Sequence, residues 1–297
     1  MNNPWPFWNV PHSELVTDMQ TQPQSLYADI ALTLANYMLL EGPNNSPIAT
    51  TGLEVTDVLV ENPLIARPNE TTHRFRVSAT AEWSSHLISM AIFSVDGNGK
   101  CTTSHGKLDV RVAPQQRWLD EWKRNTHLIT ARIDTLDRSI RSPDGNNDSH
   151  LIKRGMAYKL FGALVDYSKE YQGMAEVILD SKRLEAVSTV EFQVGPEGFH
   201  LNPKWIDSLG HIAGFIMNAN DGVDSKTLVF INHGWERMRI AEPIQEGKTY
   251  RAYNRMQLVD KTTYAGDTYI LERDRIVAIF EGVTVRSVGP LVWLSFY

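Results

Sequence analysis

A single cysteine, Cys101, stands in a chain of 297 residues. It has no disulfide partner, a multi-cysteine zinc site is excluded, and a reducing compartment fits this usage. No apolar run approaches the roughly 18 residues that a membrane span needs. The first ten residues carry Trp5, Phe7 and Trp8. They lack a positive patch followed by an apolar core, so no secretory signal is read there. Lys and Arg number 29 against 35 Asp and Glu, which removes the basic footprint expected of a nucleic-acid binder. No His-Glu-x-x-His spacing and no phosphate-cradling glycine loop occurs, so neither a metal nor a nucleotide cofactor is expected. These absences together predict a cofactor-free cytoplasmic protein with no nucleic-acid and no membrane partner.

What is present is a set of strongly periodic segments. Residues 22–41 read as a helix, with Pro23 in the first turn, Tyr27, Ile30, Ala31, Leu34, Met38 and Leu39 at helical spacing, and Gly42-Pro43 as the stop. Strand patterns follow at 72–79, 89–95 and 108–112, the middle one turning at Asp96-Gly97. Residues 117–138 predict a long helix with Trp118, Trp122, Leu128, Ile129, Ile133 and Leu136 on its buried side. The stretch 142–149 is a Ser-, Pro-, Asp- and Asn-rich linker near mid-chain. A helix over 151–167, a strand over 185–194 and a strand-rich tail from 228 onward complete the pattern. The halves, 1–141 and 150–297, echo each other: each has one apolar helix opened by a proline and then a series of strands. The class this predicts is α+β, two antiparallel sheets each wrapped around its own helix.

The most informative segment is 205–218. It is apolar nearly all round, as a buried helix is, with Asn202 as N-cap and Pro203 at its first position. One stripe breaks the pattern. Asp207, His211, Gly214 and Asn218 fall at i, i+4, i+7 and i+11 and share a face. A buried carboxylate and imidazole one turn apart are costly unless partnered. Such a stripe either satisfies itself within the helix or lines a cavity, and a cavity so lined is a candidate reaction site. Tyr27, Phe215, Asn218 and Trp235 are candidate cavity walls, and His211 orients Asp207 or contacts a ligand. His200 lies just before this helix and is a lesser candidate. His73, His86, His105, His127, His150 and His233 read as surface, strand or turn positions.

Several segments carry a family resemblance. Residues 25–34 (SLYADIALTL) resemble the first central helix of the product template domains of fungal non-reducing polyketide synthases. Residues 118–125 (WLDEWKRN) resemble their linker helix, and 158–167 (YKLFGALVDY), 173–174 and 176–180 resemble the segments after it. Residues 205–220 resemble the second central helix, and 233–236, 238–239 and 266–269 match later segments. The resemblance spans about residues 12–285. It implies a double hot-dog fold related to polyketide synthase dehydratases, a poly-β-ketone substrate presented by an acyl carrier protein, a homodimer, and cyclisation with dehydrative aromatisation by a His/Asp pair. Asp207 matches the family's aspartate within Trp205-Ile206-Asp207-Ser208. His12 is the only histidine in the region of the family's histidine, although Pro11 replaces the usual glycine, the Asn-Gly turn is missing, and an ungapped alignment puts Glu14 near that position. The first strands are expected to be shortened, with Trp5, Phe7 and Trp8 as an aromatic anchor for the terminus or as a cover for the pocket mouth. Without synthase segments, the chain resembles a free-standing member. Two alternatives stay open: a pericyclic or dehydration catalyst on a released polyketide, in which Asp207 and His211 act without His12, and a non-catalytic binding relative.

Overall fold

The computed structural model describes residues 20–21, 24–41, 51–62, 65–66, 74–141, 149–162, 165–224 and 227–288. Trp5, Phe7, Trp8, His12, the Gly42-Pro43 stop and linker residues 142–148 lie outside them. The chain runs β1 (Gln20–Thr21), α1 (Gln24–Glu41), β2 (Thr51–Val60), β3 (Ile65–Ala66), β4 (Phe75–Glu82), β5 (Leu87–Val95), β6 (Cys101–Pro114), α2 (Gln115–Ser139), β7 (Ser149–Lys153) and α3 (Arg154–Phe161). It continues through β8 (Met174–Asp180), β9 (Glu185–Glu191), α4 (Pro203–Asn218), β10 (Val229–Gly234), β11 (Arg237–Ile240), β12 (Thr249–Arg255), β13 (Gln257–Leu258), β14 (Thr263–Glu272) and β15 (Arg275–Val288).

The two long apolar helices fall where their periodicity and prolines place them. On α1, Leu26, Tyr27, Ala28, Ile30, Ala31, Leu32 and Ala35 are buried, and the helix packs on β2 and β6. α4 is buried almost throughout and is embraced by β8, β9, β10, β12, β14 and β15. Asn202 caps it as its residue type demands, Oδ1 accepting the Lys204 N–H at 2.9 Å. The two helices also touch each other. Each half is therefore a helix wrapped by an antiparallel sheet, the hot-dog arrangement.

The sheets are not separate. Among the described residues, strand order runs β4-β5-β6-β2-β11-β15-β14-β12-β9-β8-β7, with β10 on β15 and β13 on β14. The halves are fused where β11 pairs with β2, Met238 opposite Val55. Backbone pairing across the junction removes two sheet edges that would otherwise need covering. α2 crosses the outer face. Its Trp118, Trp122, Ile133 and Leu136 form a second core with Ile178, Val187, Tyr253, Leu271, Ile276 and Ile279. Leu128, expected on that side, is 56% exposed.

One expectation needs correction. The stretch 151–167 is not one helix: β7 ends at Lys153 and α3 starts at Arg154. β7 pairs with β8, Leu151 opposite Ile178. Ladder bonds to a distant strand override the local helical spacing. The break directs α3 onto α4, which shapes the site.

Candidate active site

Asp207 and His211 sit one turn apart on α4, as their spacing requires. His211 Nε2 lies 2.7 Å from Asp207 Oδ2, with His211 buried and the Asp207 side chain 23% exposed. The exposed side of Asp207 opens on a cavity of about 200 Å³. Ile206, Asp207, Gly210, His211 and Gly214 of α4 form one wall, and Phe161, Tyr167, Trp235 and Phe280 supply aromatic surface. Rings pack near both glycines at distances that would leave an added methyl in ordinary contact. A Cβ on Gly210 would stand 3.6 Å from the Phe280 ring, and one on Gly214 would stand 3.8 Å from Phe161. Ser25, at the start of α1, closes the opposite side with Phe230, Ile231 and Asn232 from β10. Among the described residues, no hydrogen-bond partner reaches the buried Ser25 Oγ or Trp235 Nε1.

A second layer holds the Asp–His pair. Tyr158 Oη, on α3, lies 3.0 Å from His211 Nδ1 and accepts the Met174 N–H at 3.0 Å. The Tyr167 ring stands against the imidazole, 4.3 Å between centroids, and Phe161 meets it edge-on at 5.7 Å. Burial, and then the Asp207 charge, push the Tyr171 phenol well above its ordinary value. Burial does the same to Tyr158, with a backbone bond from Met174 opposing it and the Asp207 charge reinforcing it. Both phenols therefore remain protonated donors at neutral pH.

The remaining candidates are distributed as follows. Trp235 lines the cavity, stacked on Phe280 with 6.0 Å between centroids. Tyr27 is buried on α1 and is not part of the lining. Phe215 is fully buried one layer further in, edge-on to Phe161. Asn218 is spent on structure: Nδ2 donates to Gly214 O and Phe230 O, and Oδ1 accepts the Phe230 N–H at 2.9 Å. It splices the end of α4 to β10 and does not line the cavity. His200 and His233 are exposed and outside the lining. His12 lies outside the described residues. Among the described residues no group of three or more His, Cys, Asp or Glu could hold a metal ion. No helix among them is long and apolar enough to cross a membrane.

Sequence reasoning did not single out Tyr158, Phe161, Tyr167, Ser25, Asn232 or Phe280. The first three sit in a segment that carries the family resemblance, but nothing local marks them as neighbours of His211. That contact exists only because β7 docks on β8 and turns α3 toward α4.

This fold, two helices in one wrapped antiparallel sheet with a carboxylate on the second helix facing a cavity, is the double hot-dog of polyketide synthase dehydratases. The chain aligns with the dehydratase domain from the CurK module of curacin polyketide synthase at a TM-score of 0.62 and 15% identity, over 92% of this chain and 86% of that one. It aligns with the dehydratase domain of RzxB from Pseudomonas fluorescens at 0.61 and 12%, over 87% and 84%. Residues 142–292 match the family described as polyketide synthase dehydratase N-terminal domain, and the chain belongs to that family. It is 63% identical over 274 residues to the non-reducing polyketide synthase phnA of Penicillium herquei, covering 92% of this chain and 12% of that protein. It is 44% identical over 267 residues to the conidial yellow pigment biosynthesis polyketide synthase of Emericella nidulans, covering 90% and 12%. The chain thus spans about an eighth of these relatives, in their product template region.

Proposed function

We propose that this domain directs aldol cyclisation and dehydrative aromatisation of a poly-β-ketone chain, presented by an acyl carrier protein. The observation that carries the reading is a partly exposed carboxylate, Asp207, set into an aromatic cavity on the second central helix. A methylene between two carbonyls is already acidic. His12 takes its proton, Asp207 stabilises the imidazolium that forms, and the carbanion attacks a carbonyl carbon further along the chain. The new alkoxide takes up a proton, loss of hydroxide with a second ring proton releases water and leaves a cyclic enone, and enolisation of the remaining ring ketones gives the aromatic ring. Cavity walls that hold one methylene against one carbonyl lower the entropy cost and select the ring formed.

The test is product analysis by mass spectrometry with H12A and D207A. Either substitution is expected to lower cyclised product by about 10²–10⁴-fold while the protein stays folded. Full activity in both variants would refute the assignment.

A second reading is favoured by one distance. Among the described residues the imidazole partner of Asp207 is His211, at 2.7 Å. On that reading the pair acts without His12, on a released polyketide, in a dehydration or pericyclic step. Loss of activity in D207A together with full activity in H12A would select it. Pairing of two copies is carried by the resemblance, a cytoplasmic setting by the composition, and the division at 1–141 and 150–297 by the mid-chain linker and the echo between the halves. Sedimentation of the purified chain tests the pairing.

A further inference from the structure

Tyr158 has three neighbours for one hydroxyl, and its single proton can go to only one of them. The Met174 N–H can only donate to it, at 3.0 Å. The proton is therefore shared between the Tyr171 carbonyl at 3.2 Å and His211 Nδ1 at 3.0 Å. The carbonyl is already served, accepting the Gly173 N–H at 2.9 Å and the Ser208 hydroxyl at 3.0 Å. Among the described residues that imidazole nitrogen has no hydrogen-bond partner but Tyr158. Both the shorter distance and the need of the acceptor send the phenol proton to Nδ1.

We propose that Tyr158 is a positioning residue that holds His211 in its Nε2–H tautomer, so that His211 acts as a fixed neutral donor to Asp207 Oδ2. The other nitrogen of a histidine decides what the first one does. With Nδ1 receiving, Nε2 carries the hydrogen and points it at the carboxylate. One oxygen of Asp207 is thereby occupied, and the other is the one left to the cavity. The imidazole is fixed sideways as well, between the rings of Tyr167 and Phe161. The charged or titratable groups around it are Asp207 on its own helix, Tyr158 on α3, and Tyr167 and Tyr171 in the segment between α3 and β8. Burial, above all, raises the phenols of Tyr158 and Tyr171, so neither supplies a competing negative charge at neutral pH. His211 in this role neither takes nor gives a proton during turnover; it aims a carboxylate that does.

The inference rests on Asp207 being the reactive group, so its first test needs no reaction. Nitrogen-15 NMR of the imidazoles, with the His211 signals assigned by their loss in H211Q, is expected to show a protonated Nε2 and an unprotonated Nδ1. In Y158F the tautomers are expected to mix. A protonated Nδ1 in the native chain, or an unchanged tautomer in Y158F, overturns the proposal whether or not cyclisation is the reaction. The second test is rescue. H211L removes the donor and is expected to slow product formation by about 10²-fold, the scale of a misplaced reacting group. H211Q can accept from Tyr158 and donate to Asp207 as an amide, and is expected to recover most of that loss with the native pH profile. A glutamine variant as slow as H211L would show that His211 titrates during turnover, and would also overturn the proposal.

Discussion

Asp29 and Asp207 sit on the two central helices and meet opposite fates. Asp207 opens on a cavity, whereas Asp29 has no exposed surface and accepts the Leu201 N–H at 2.8 Å. Burial pushes the Asp29 carboxyl from its ordinary 3.8 up to about 7, against the pull of backbone bonds from Leu201 and His200. The sign of the consequence is fixed by linkage. Between these values the folded chain holds a proton that the unfolded chain releases. The contribution of Asp29 to stability is thus fully present below about pH 4 and is lost as pH rises through about 7. Asparagine at this position keeps the Leu201 bond and cannot ionise. Across that window the native chain is expected to lose stability relative to D29N by an amount on the order of 4 kcal/mol at most. Urea melts of both proteins at a series of pH values measure the difference, and parallel curves would show that Asp29 stays charged in the fold.

At the scale of elements, the long helix α2 depends on a missing side chain. Trp118 lies directly on the backbone of β2 at Gly52, where an added Cβ would stand 2.2 Å from its ring. The ring is also stacked on Trp122 at 6.3 Å, with the Arg239 guanidinium over both. Arg239 in turn is bound by Glu121 of α2 and Glu281 of β15. G52A therefore forces two stacked indoles and a buried cation to move together, an overpacking cost of about 1–3 kcal/mol. A lower Tm with altered near-ultraviolet circular dichroism is the expected result; an unchanged spectrum would mean that α2 is held by its second-half contacts alone. The tryptophans of this face were legible from helical spacing, but Leu128 was not. Leu128 lies about 80° round the helix from Trp118, at the edge of the stripe that Trp118, Trp122, Ile133 and Leu136 bury, and so faces outward.

At the scale of the whole molecule, two hot-dog halves share one sheet and one outer helix. β2 and β11 exchange ladder bonds across the junction, and α2 leaves β6 of the first half to pack on β8 and β9 of the second. α1 and α4 are also in contact, and Asp29 of the first half holds the chain just before α4 of the second. Few ways remain for one half to open without breaking the other's core. Far-ultraviolet circular dichroism and tryptophan emission are expected to report a single coincident denaturant transition. Two separated transitions would show that the halves fold as independent units.

Much of this protein is written locally. The central helices, the cap at Asn202, the long helix of the linker and the pairing of Asp207 with His211 follow from residue spacing and capping chemistry, which act within a few turns of chain. The family follows from the order of such segments. What only the tertiary structure decided is of longer range: the strand β7, which takes 151–153 from the expected helix, the fusion of two sheets into one, and the turning of α3 that brings Tyr158 to His211. It also separated Trp235, which lines the cavity, from Tyr27, Phe215 and Asn218, which do not. Strand pairing and cavity walls are made by residues far apart in sequence. Their free energy depends on which distant surface arrives, and a local pattern cannot encode that.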